Sequence, residues 1–451
     1  MSNLLKTRRT FSWTAKANHS QIVNDDYIQD FLKGCRFPKK PNLDEEKSKK
    51  LIADISPKDI GKKHILTVDG SYTLVKTQKE FPSSEIAFFQ FGAIVFETDD
   101  LDDLSSKPFI SPEDIKKLHN LKKVKLSLPV KNVTSGNQKS LSDSIRSEIY
   151  RFFLKEKDSL LSLMDTLRWL IFEEYSETPI AEYALASDPN IGTGKGEVNL
   201  KRDQMKSDFT FEYNGNTIYL TDVFRLHEVI DEDFGAAGIL GYVSRLIEQM
   251  LLMRYIHFIY KQGPKALNDF VFISNGPLSF SGQTANMHKP FRKLCIFLDN
   301  NINICLFGLE KNGPFLEHAF EICKNEENKF YLEKGSVLIL SNEYIYKYIT
   351  PGDHENMHYG STSYYGGKVI LHTDDGQIFV VSIPIESADV ILSPKLSDYK
   401  NIDLIVSLLR RLKCDMYNDT IIPVALANKL IALTGHPSQL ILEKYAKEYS
   451  Q

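Results

Sequence analysis

The chain has 451 residues, which allows two or three domains or one domain with insertions. Its 42% hydrophobic and 25% charged residues are typical of a globular protein and exclude wholesale disorder. Since 55 Lys and Arg face 59 Asp and Glu, the formal net charge is −4, which excludes a generally basic surface. Any contact with DNA or RNA must then come from a local patch or from a second subunit.

The cysteines and the apolar runs predict a cytoplasmic protein without a membrane span. Five widely spaced cysteines form no CxxC pair, which argues against a disulfide framework or a zinc ribbon. The first 21 residues contain no apolar core of signal-peptide length. The longest apolar stretches, such as residues 160–172, are interrupted by Asp and Arg.

The N-terminal third predicts an arm followed by paired strands. Residues 1–60 are polar and are interpreted as an N-terminal helical arm. His64–Val68 (HILTV) is a predicted strand that enters the turn Asp69-Gly70-Ser71, and residues 86–96 form a second apolar run. We expect these two to be adjacent buried strands. The lysine-rich residues 116–131 indicate either a solvated connection or an edge strand.

The middle of the chain predicts two helical segments and two further strands. Apolar residues recur at helical spacing over 142–175, which indicates one long amphipathic helix or a helix pair. A short strand is predicted at 217–220, a second helix at 238–260 and an apolar strand at 269–274.

The C-terminal half has the pattern of a β-rich protein. Short apolar runs separated by Gly, Asn, Asp and Pro, from residue 295 to about 390, predict a meander or a half-barrel. Helices are expected at 399–413 and 423–433, with a tail at 436–451. We interpret residues 61–435 as one core with a helical insertion at about 141–215.

Asp69 is the first candidate site residue. A carboxylate at the carboxyl end of a buried strand, followed by Gly and Ser, is rigid and suits a divalent metal. The alternative is that Asp-Gly is simply a common turn.

A second candidate is the polar segment 273–294, predicted as a loop that follows the strand and its Asn275-Gly276-Pro277 turn. Hydroxyls, amides and basic groups within about twenty residues favour phosphate contacts. The basic or imidazole groups are His288, Lys289, Arg292 and Lys293. A solvated surface loop remains the alternative.

Glu248 is the third candidate, because it lies in an otherwise apolar helix. Arg245 precedes it by three residues and could pair with it across one turn, which would make both structural. Alternatively, the helix carries the carboxylate toward the end of strand 64–68.

Taken in order and spacing, several segments resemble the NurA nuclease family. The resemblance covers roughly residues 60–435 and is carried by VDGS at 68–71, the Glu248 helix, NGPL at 275–278, LEKNG at 309–313, YGSTSYYGGK at 359–368 and IIPVALANKL at 421–430. It implies an RNase H-like α/β core with a β-rich elaboration, in which a mixed sheet is flanked by helices. It also implies a homodimer that degrades DNA with Mn²⁺ or Mg²⁺, docked to a HerA-like hexameric ATPase, in repair or anti-phage defence.

The resemblance assigns roles to individual residues. Asp69 matches the family's first-strand aspartate, Glu248 its helix-borne glutamate with Glu228 as second choice, and Lys311 a lysine after a core strand. His288 and Lys289 fall where DNA-proximal basic groups would be useful, and Arg292 and Lys293 extend that group.

Two positions depart from the family pattern. Asn275 stands in the place of an aspartate and Asn428 in that of a histidine. An amide keeps one oxygen ligand but removes a negative charge, so a second ion beside Asp69, Glu248 and Asn275 should bind weakly.

Three functional hypotheses follow. The first is a metal-dependent deoxyribonuclease that processes DNA ends with an ATPase translocase. The second is a catalytically impaired relative that binds DNA and regulates or couples to the ATPase, which Asn275 and Asn428 favour. The third is a scaffold in which helix 142–175 binds another protein.

Overall fold

The computed structural model describes residues 22–41, 50–54, 61–77, 83–99, 122–155, 161–190, 196–324, 331–414, 420–433 and 436–448. The strands within these ranges are β1 (Ile52–Asp54), β2 (His64–Lys76), β3 (Glu85–Glu97), β4 (Lys122–Lys131), β5 (Glu182–Leu185), β6 (Val198–Lys201), β7 (Thr210–Tyr213), β8 (Asn216–Tyr219), β9 (Phe270–Asn275), β10 (Cys305–Glu310), β11 (Ser336–Ile339), β12 (Gly366–His372) and β13 (Ile378–Pro384). The α-helices are α1 (Asp26–Gly34), α2 (Leu141–Leu154), α3 (Leu163–Ile171), α4 (Leu240–Gln262), α5 (His288–Ile302), α6 (Pro314–Lys324), α7 (Asn342–Tyr348), α8 (Ile402–Arg411), α9 (Ile422–Ile431) and α10 (His436–Glu448).

A nine-stranded mixed sheet organises the fold, in the order β1-β11-β12-β13-β10-β9-β2-β3-β4. The central pairs β2–β9 and β9–β10 are parallel, whereas the strands on either side pair antiparallel. The parallel part of β2 ends at Val68, beside the carboxyl ends of β9 and β10, while β2 itself continues to Lys76 alongside β3. Such a meeting of parallel strand ends is where open α/β sheets place their ligands.

Helices cover both faces of the sheet because successive strand residues point to opposite sides. Leu66, Val68 and Phe272 pack with α2, α3 and α4 in one apolar core. Ile65 and Ile273 belong to a second core on the other face, formed with α8 and α9. A residue's position along β2 thus decides which layer of helices its side chain meets.

The predicted fold class, a mixed sheet flanked by helices, is confirmed. Segment 142–175 is the predicted helix pair, and residues 122–131 form an edge strand. Strands β11, β12 and β13 form the predicted meander of antiparallel neighbours, and together with β10 they belong to the same nine-stranded sheet. Alternation between apolar and polar residues specifies a strand but not its neighbour, so a sheet extension and a half-barrel give the same pattern.

Segment 141–215 and the N-terminal segment are more varied than predicted. Strands β5, β6 and β7 follow α2 and α3 within the insertion. In the arm, α1 is followed by β1, whose Ile52 pairs antiparallel with Leu338 of β11. No helix within the described ranges is long and apolar enough to cross a membrane.

His257 on α4 is a buried histidine that the apolar periodicity of the helix conceals. It is 1% exposed, its ring stacks on Trp169 with centroids 4.2 Å apart, and its Nδ1 lies 3.3 Å from Thr166 Oγ1. Burial, reinforced by the charge of Lys261, lowers its pKa to about 3. The folded protein therefore holds this ring neutral well below the pH at which it would ionise in the unfolded chain.

We predict that His257 makes folding stability fall as the pH is lowered from 7 toward 4. Below about pH 6.5 this histidine is protonated in the unfolded chain but stays neutral in the folded protein. The free energy of unfolding therefore falls by about 1.4 kcal/mol per pH unit. His257→Phe, which keeps an aromatic ring against Trp169, should have a correspondingly flatter profile in urea denaturation at pH 7, 6 and 5. Parallel profiles for both proteins would contradict this assignment.

Candidate functional site

Three of the predicted site residues meet where the parallel pairing of β2, β9 and β10 ends. The predicted turn at Asp69-Gly70-Ser71 is wrong, because β2 continues through these residues to Lys76, paired with β3. Val68 pairs with Ser274, so Asp69 and Asn275 are the next residues on neighbouring strands. Leu309 pairs with Asn275 on the other side, and Lys311 follows two residues later. Alternation along each strand places Asp69, Asn275 and Lys311 on the face that carries Ile65, Ile273 and Leu309.

Asn428 joins them from α9, which covers this face. Asn275 Nδ2 donates to Asp69 Oδ1 at 2.6 Å, and the side-chain amides of Asn275 and Asn428 are 3.1 Å apart. With the Asn428 amide oriented to suit its neighbours, its nitrogen donates to Asp69 Oδ2 and its oxygen accepts from Lys311 Nζ. Both oxygens of Asp69, which is 4% exposed, therefore accept hydrogen bonds from amides.

Glu248 approaches the same strand end from the opposite face. Its side chain is 13% exposed and lies on α4, which packs against the other side of β2. The approach depends on Gly70: a Cβ there would lie 2.6 Å from Glu248 Oε1 and 2.7 Å from Phe91 Cδ1. Because Gly70 has no side chain, Glu248 can lie against the backbone of β2 at the residue that follows Asp69.

Arg245 links Glu248 to the turn after β9. Its guanidinium donates to Asn275 O at 2.5 Å, to Pro277 O and to Ser279 O at 3.4 Å, and it lies 3.4 Å from Glu248 Oε2. The structural alternative for Arg245, pairing across one helical turn, is therefore present, but it coexists with Glu248 at the strand end. Arg245 therefore attaches α4 to the turn that follows Asn275.

Charges in this cluster perturb one another. Burial raises the pKa of Asp69, although the Asn275 hydrogen bond and Lys311 oppose the shift. Burial raises the pKa of Glu248 to about 7, against the lowering effect of Arg245, and the charge of Asp69 adds to it. Burial lowers the pKa of Lys311 to about 8, opposed by Asp69 and Glu248. Two carboxylates and a lysine thus share one partly enclosed site, as is frequent where proton transfer or ion binding occurs.

The donor set could hold one hard divalent cation but not two. Asp69 and Glu248 supply two carboxylates, and the amides of Asn275 and Asn428 can turn their oxygens inward, which matches the oxygen ligands of Mg²⁺ and Mn²⁺. Lys311 and Arg245 already add positive charge beside both carboxylates. Among the residues that the structure describes, no group of three or more His, Cys, Asp or Glu could hold a metal. A second ion would therefore lack anionic ligands.

The predicted basic loop is largely a helix. Residues 288–302 form α5, in which Phe291, Leu294, Cys295 and Leu298 face the core at helical spacing. His288 is 4% exposed with Nδ1 2.6 Å from Ala285 O, and Arg292 donates to Tyr364 O. Lys293 Nζ is 2.6 Å from Glu173 Oε1, while Lys289 is exposed. Their role in DNA binding stays a prediction, for which Lys289 and Lys293 are the better placed.

Sequence reasoning left Gly70 and Arg245 without a role in the site. Gly70 could have been found as a glycine flanked by site residues, since only a missing side chain admits a neighbour so closely. Glu228, the second choice for the helix-borne carboxylate, pairs with Arg225 at 2.7 Å and accepts from Ser187 at 2.7 Å. These contacts give Glu228 a structural role.

Comparison with known proteins finds similarity at the level of structure. No protein-family model matches the chain, and no curated protein sequence matches it. The fold aligns with the crystal structure of the NurA nuclease from Sulfolobus solfataricus over 97% of both chains, with 8% identical residues and a TM-score of 0.33. A superposition this loose transfers no function, so the site residues must carry the functional argument.

We predict that Gly70→Ala displaces Glu248 from the strand end. A methyl group cannot fit 2.6 Å from a carboxylate oxygen, so either Glu248 or Phe91 must move, at a cost of about 1–3 kcal/mol in the free energy of unfolding. Gly61→Ala is the matched control, because a Cβ there meets nothing within 4 Å. Urea denaturation of both variants checks the prediction, and equal stability would contradict the close approach.

Proposed function

We propose that this protein is a divalent-metal-dependent deoxyribonuclease that hydrolyses phosphodiester bonds at the cluster of Asp69, Glu248 and Lys311. The observation that carries the proposal is the convergence of two carboxylates and a lysine from three distant segments at the ends of parallel strands. A structural role alone does not require two buried carboxylates of raised pKa beside one another, because each costs desolvation energy.

Each residue has a definite task in this proposal. Asp69 and Glu248, with the amide oxygens of Asn275 and Asn428, would hold the ion, and Mn²⁺ or Mg²⁺ there supplies a nucleophilic water of lowered pKa. Lys311, whose pKa of about 8 keeps it largely protonated at neutral pH, would neutralise and protonate the leaving oxygen. Arg245 contacts both Glu248 and Asn275 O and so fixes the position of Glu248 relative to the turn after β9.

We further propose that the enzyme works as a homodimer with a HerA-like hexameric ATPase. A chain of net charge −4 repels DNA at long range, so a translocating ring that delivers the strand would overcome this barrier. Repair of DNA ends and anti-phage defence are both compatible with such a pair.

A catalytically impaired DNA-binding subunit is the second candidate, and one specific observation favours it. Both oxygens of Asp69 accept from amide nitrogens, an arrangement that satisfies the carboxylate without an ion. In this alternative, the buried hydrogen-bond network has a purely structural role, and the protein regulates its ATPase partner. The network consists of Asp69, Asn275, Asn428 and Lys311.

Digestion of linear DNA decides between these functions. We expect Mn²⁺-dependent degradation, enhanced by the cognate ATPase, and a loss of at least about a hundredfold in Asp69→Ala, because removing an ion ligand removes the nucleophile's activation. Asp233→Ala, a substitution at an exposed turn, is the control and should retain activity. Equal activity of wild type and Asp69→Ala would remove Asp69 from the mechanism, and inactivity under every condition would favour the binding subunit.

We also predict a gain of function in Asn275→Asp. An added carboxylate beside Asp69 should lower the Mn²⁺ concentration for half-maximal activity by about tenfold, equivalent to about 1.4 kcal/mol of ion binding. If the wild type is an impaired subunit, the same change should create measurable nuclease activity. Asn303→Asp, on the loop after α5, adds the same charge away from the site. An unchanged Mn²⁺ titration in Asn275→Asp would contradict the single-ion site.

A further inference from the structure

A cationic cavity opens beside the edge strand β4, outside the residues proposed for catalysis. Its volume is about 600 Å³. The residues that define its chemistry are Gln90, Lys123, Lys125, Phe152, Lys155 and Arg254. None of the lining residues that the structure describes is an Asp or a Glu.

The cavity combines an apolar floor with cationic walls. Phe152 and Leu163 belong to the apolar core beneath the sheet, while Lys125 and Lys155 are exposed at the mouth. Within the part of the chain that the structure describes, no carboxylate forms an ion pair with Lys125 or Lys155. Cations grouped around an apolar floor match a ligand that carries phosphates on a flat organic skeleton, as a nucleic acid strand does.

The floor of the cavity is connected to the candidate active site. Gln90 pairs with Ser71, two residues beyond Asp69 on β2. The ring of Phe91 lies against Gly70, and its centroid is 6.4 Å from the ring centroid of Phe152. Gln90 is thus two residues along a strand and one strand across from Asp69, a backbone separation of about 8 Å.

The same side chains also hold α9, which carries Asn428. Gln90 Nε2 donates to Ile431 O at 3.1 Å, and Lys123 Nζ donates to Leu430 O at 2.8 Å. The last turn of α9 therefore contacts the residues that line the cavity, while Asn428 on the same helix contacts the network around Asp69. A ligand that fills the cavity would lie directly beside this turn.

We propose that the cavity binds the phosphodiester backbone of the DNA strand a few nucleotides from the phosphate at Asp69. This inference rests on the proposed nuclease function for its assignment to the cut strand. At about 3.4 Å of rise per nucleotide, a strand reaches from Asp69 into the cavity within about three nucleotides. Lys125 and Lys155 contact phosphates, and the apolar floor accommodates the sugar or base between them.

Binding of single-stranded DNA tests the cavity without cleavage. Fluorescence anisotropy of a labelled oligonucleotide is measured in EDTA for the wild type, for Lys125→Gln/Lys155→Gln, and for the charge-matched control Lys201→Gln/Lys265→Gln. We expect about tenfold weaker binding in the first double variant only. The slope of log Kd against log salt should fall by about 1.4, since each phosphate contact on a single strand contributes about 0.7. Equal losses in both double variants, or none in either, would overturn the proposal.

Two further measurements separate this inference from the proposed function. Hydrolysis of bis(p-nitrophenyl) phosphate with Mn²⁺ needs the active site but no neighbouring phosphates, so the cavity variant should match the wild type. A wild type that hydrolyses neither substrate refutes the proposed function, while the anisotropy result still decides whether the cavity binds DNA. Competition with dAMP identifies the ligand: if the mononucleotide displaces the oligonucleotide at micromolar concentration, the cavity is a nucleotide pocket and the strand assignment is wrong.

Discussion

The burial of Asp69 is the constraint on which the candidate site depends. Burying this carboxylate, which is 4% exposed, costs desolvation free energy. Hydrogen bonds from Asn275 and Asn428 and the charge of Lys311 offset that cost. These partners come from two further strands and a helix, so the compensation holds only if the sheet and its covering layer are both assembled. The same contacts that stabilise the carboxylate place a lysine beside it, and this links the stability of the strand ends to their chemistry.

The geometry of the sheet explains why Glu248 belongs to this site although it lies in the other layer. A continuous sheet normally separates the side chains of its two faces. Gly70 has no side chain on the face that α4 covers, so the Glu248 carboxylate lies against the backbone of β2 at the residue that follows Asp69. Arg245 on α4 contacts both Glu248 and the turn that carries Asn275, and these contacts hold Glu248 in position.

Much of the fold was accessible from periodicity and much of the site was not. The strands at 64–68 and 269–274, the helix pair at 142–175 and the edge strand within 116–131 follow from alternation and helical spacing. The placement of β10 to β13 in one sheet did not follow, because strand patterns do not specify neighbours. The predicted loop within 273–294 is helical from residue 288 onward: its basic residues favour a loop, although Phe291, Leu294, Cys295 and Leu298 have helical spacing. Asn275 is the strand-end residue that the sequence predicts, whereas Asp69 lies within β2, which continues to Lys76, and the role of Gly70 depends on which atoms approach it in space.

The parallel pairing of β2 with β9 has a consequence for biosynthesis. Asp69 is made early, but its partners Asn275, Lys311 and Asn428 follow much later in the chain. At about 5–20 residues per second, a ribosome needs about 20–70 s to travel from Asp69 to Asn428. During that interval β2 and β3 lack the strand and helix that complete their cover, so nascent chains expose apolar surface and depend on protection from aggregation. A truncated translation product would carry Asp69 but none of the later residues that surround this carboxylate in the folded chain.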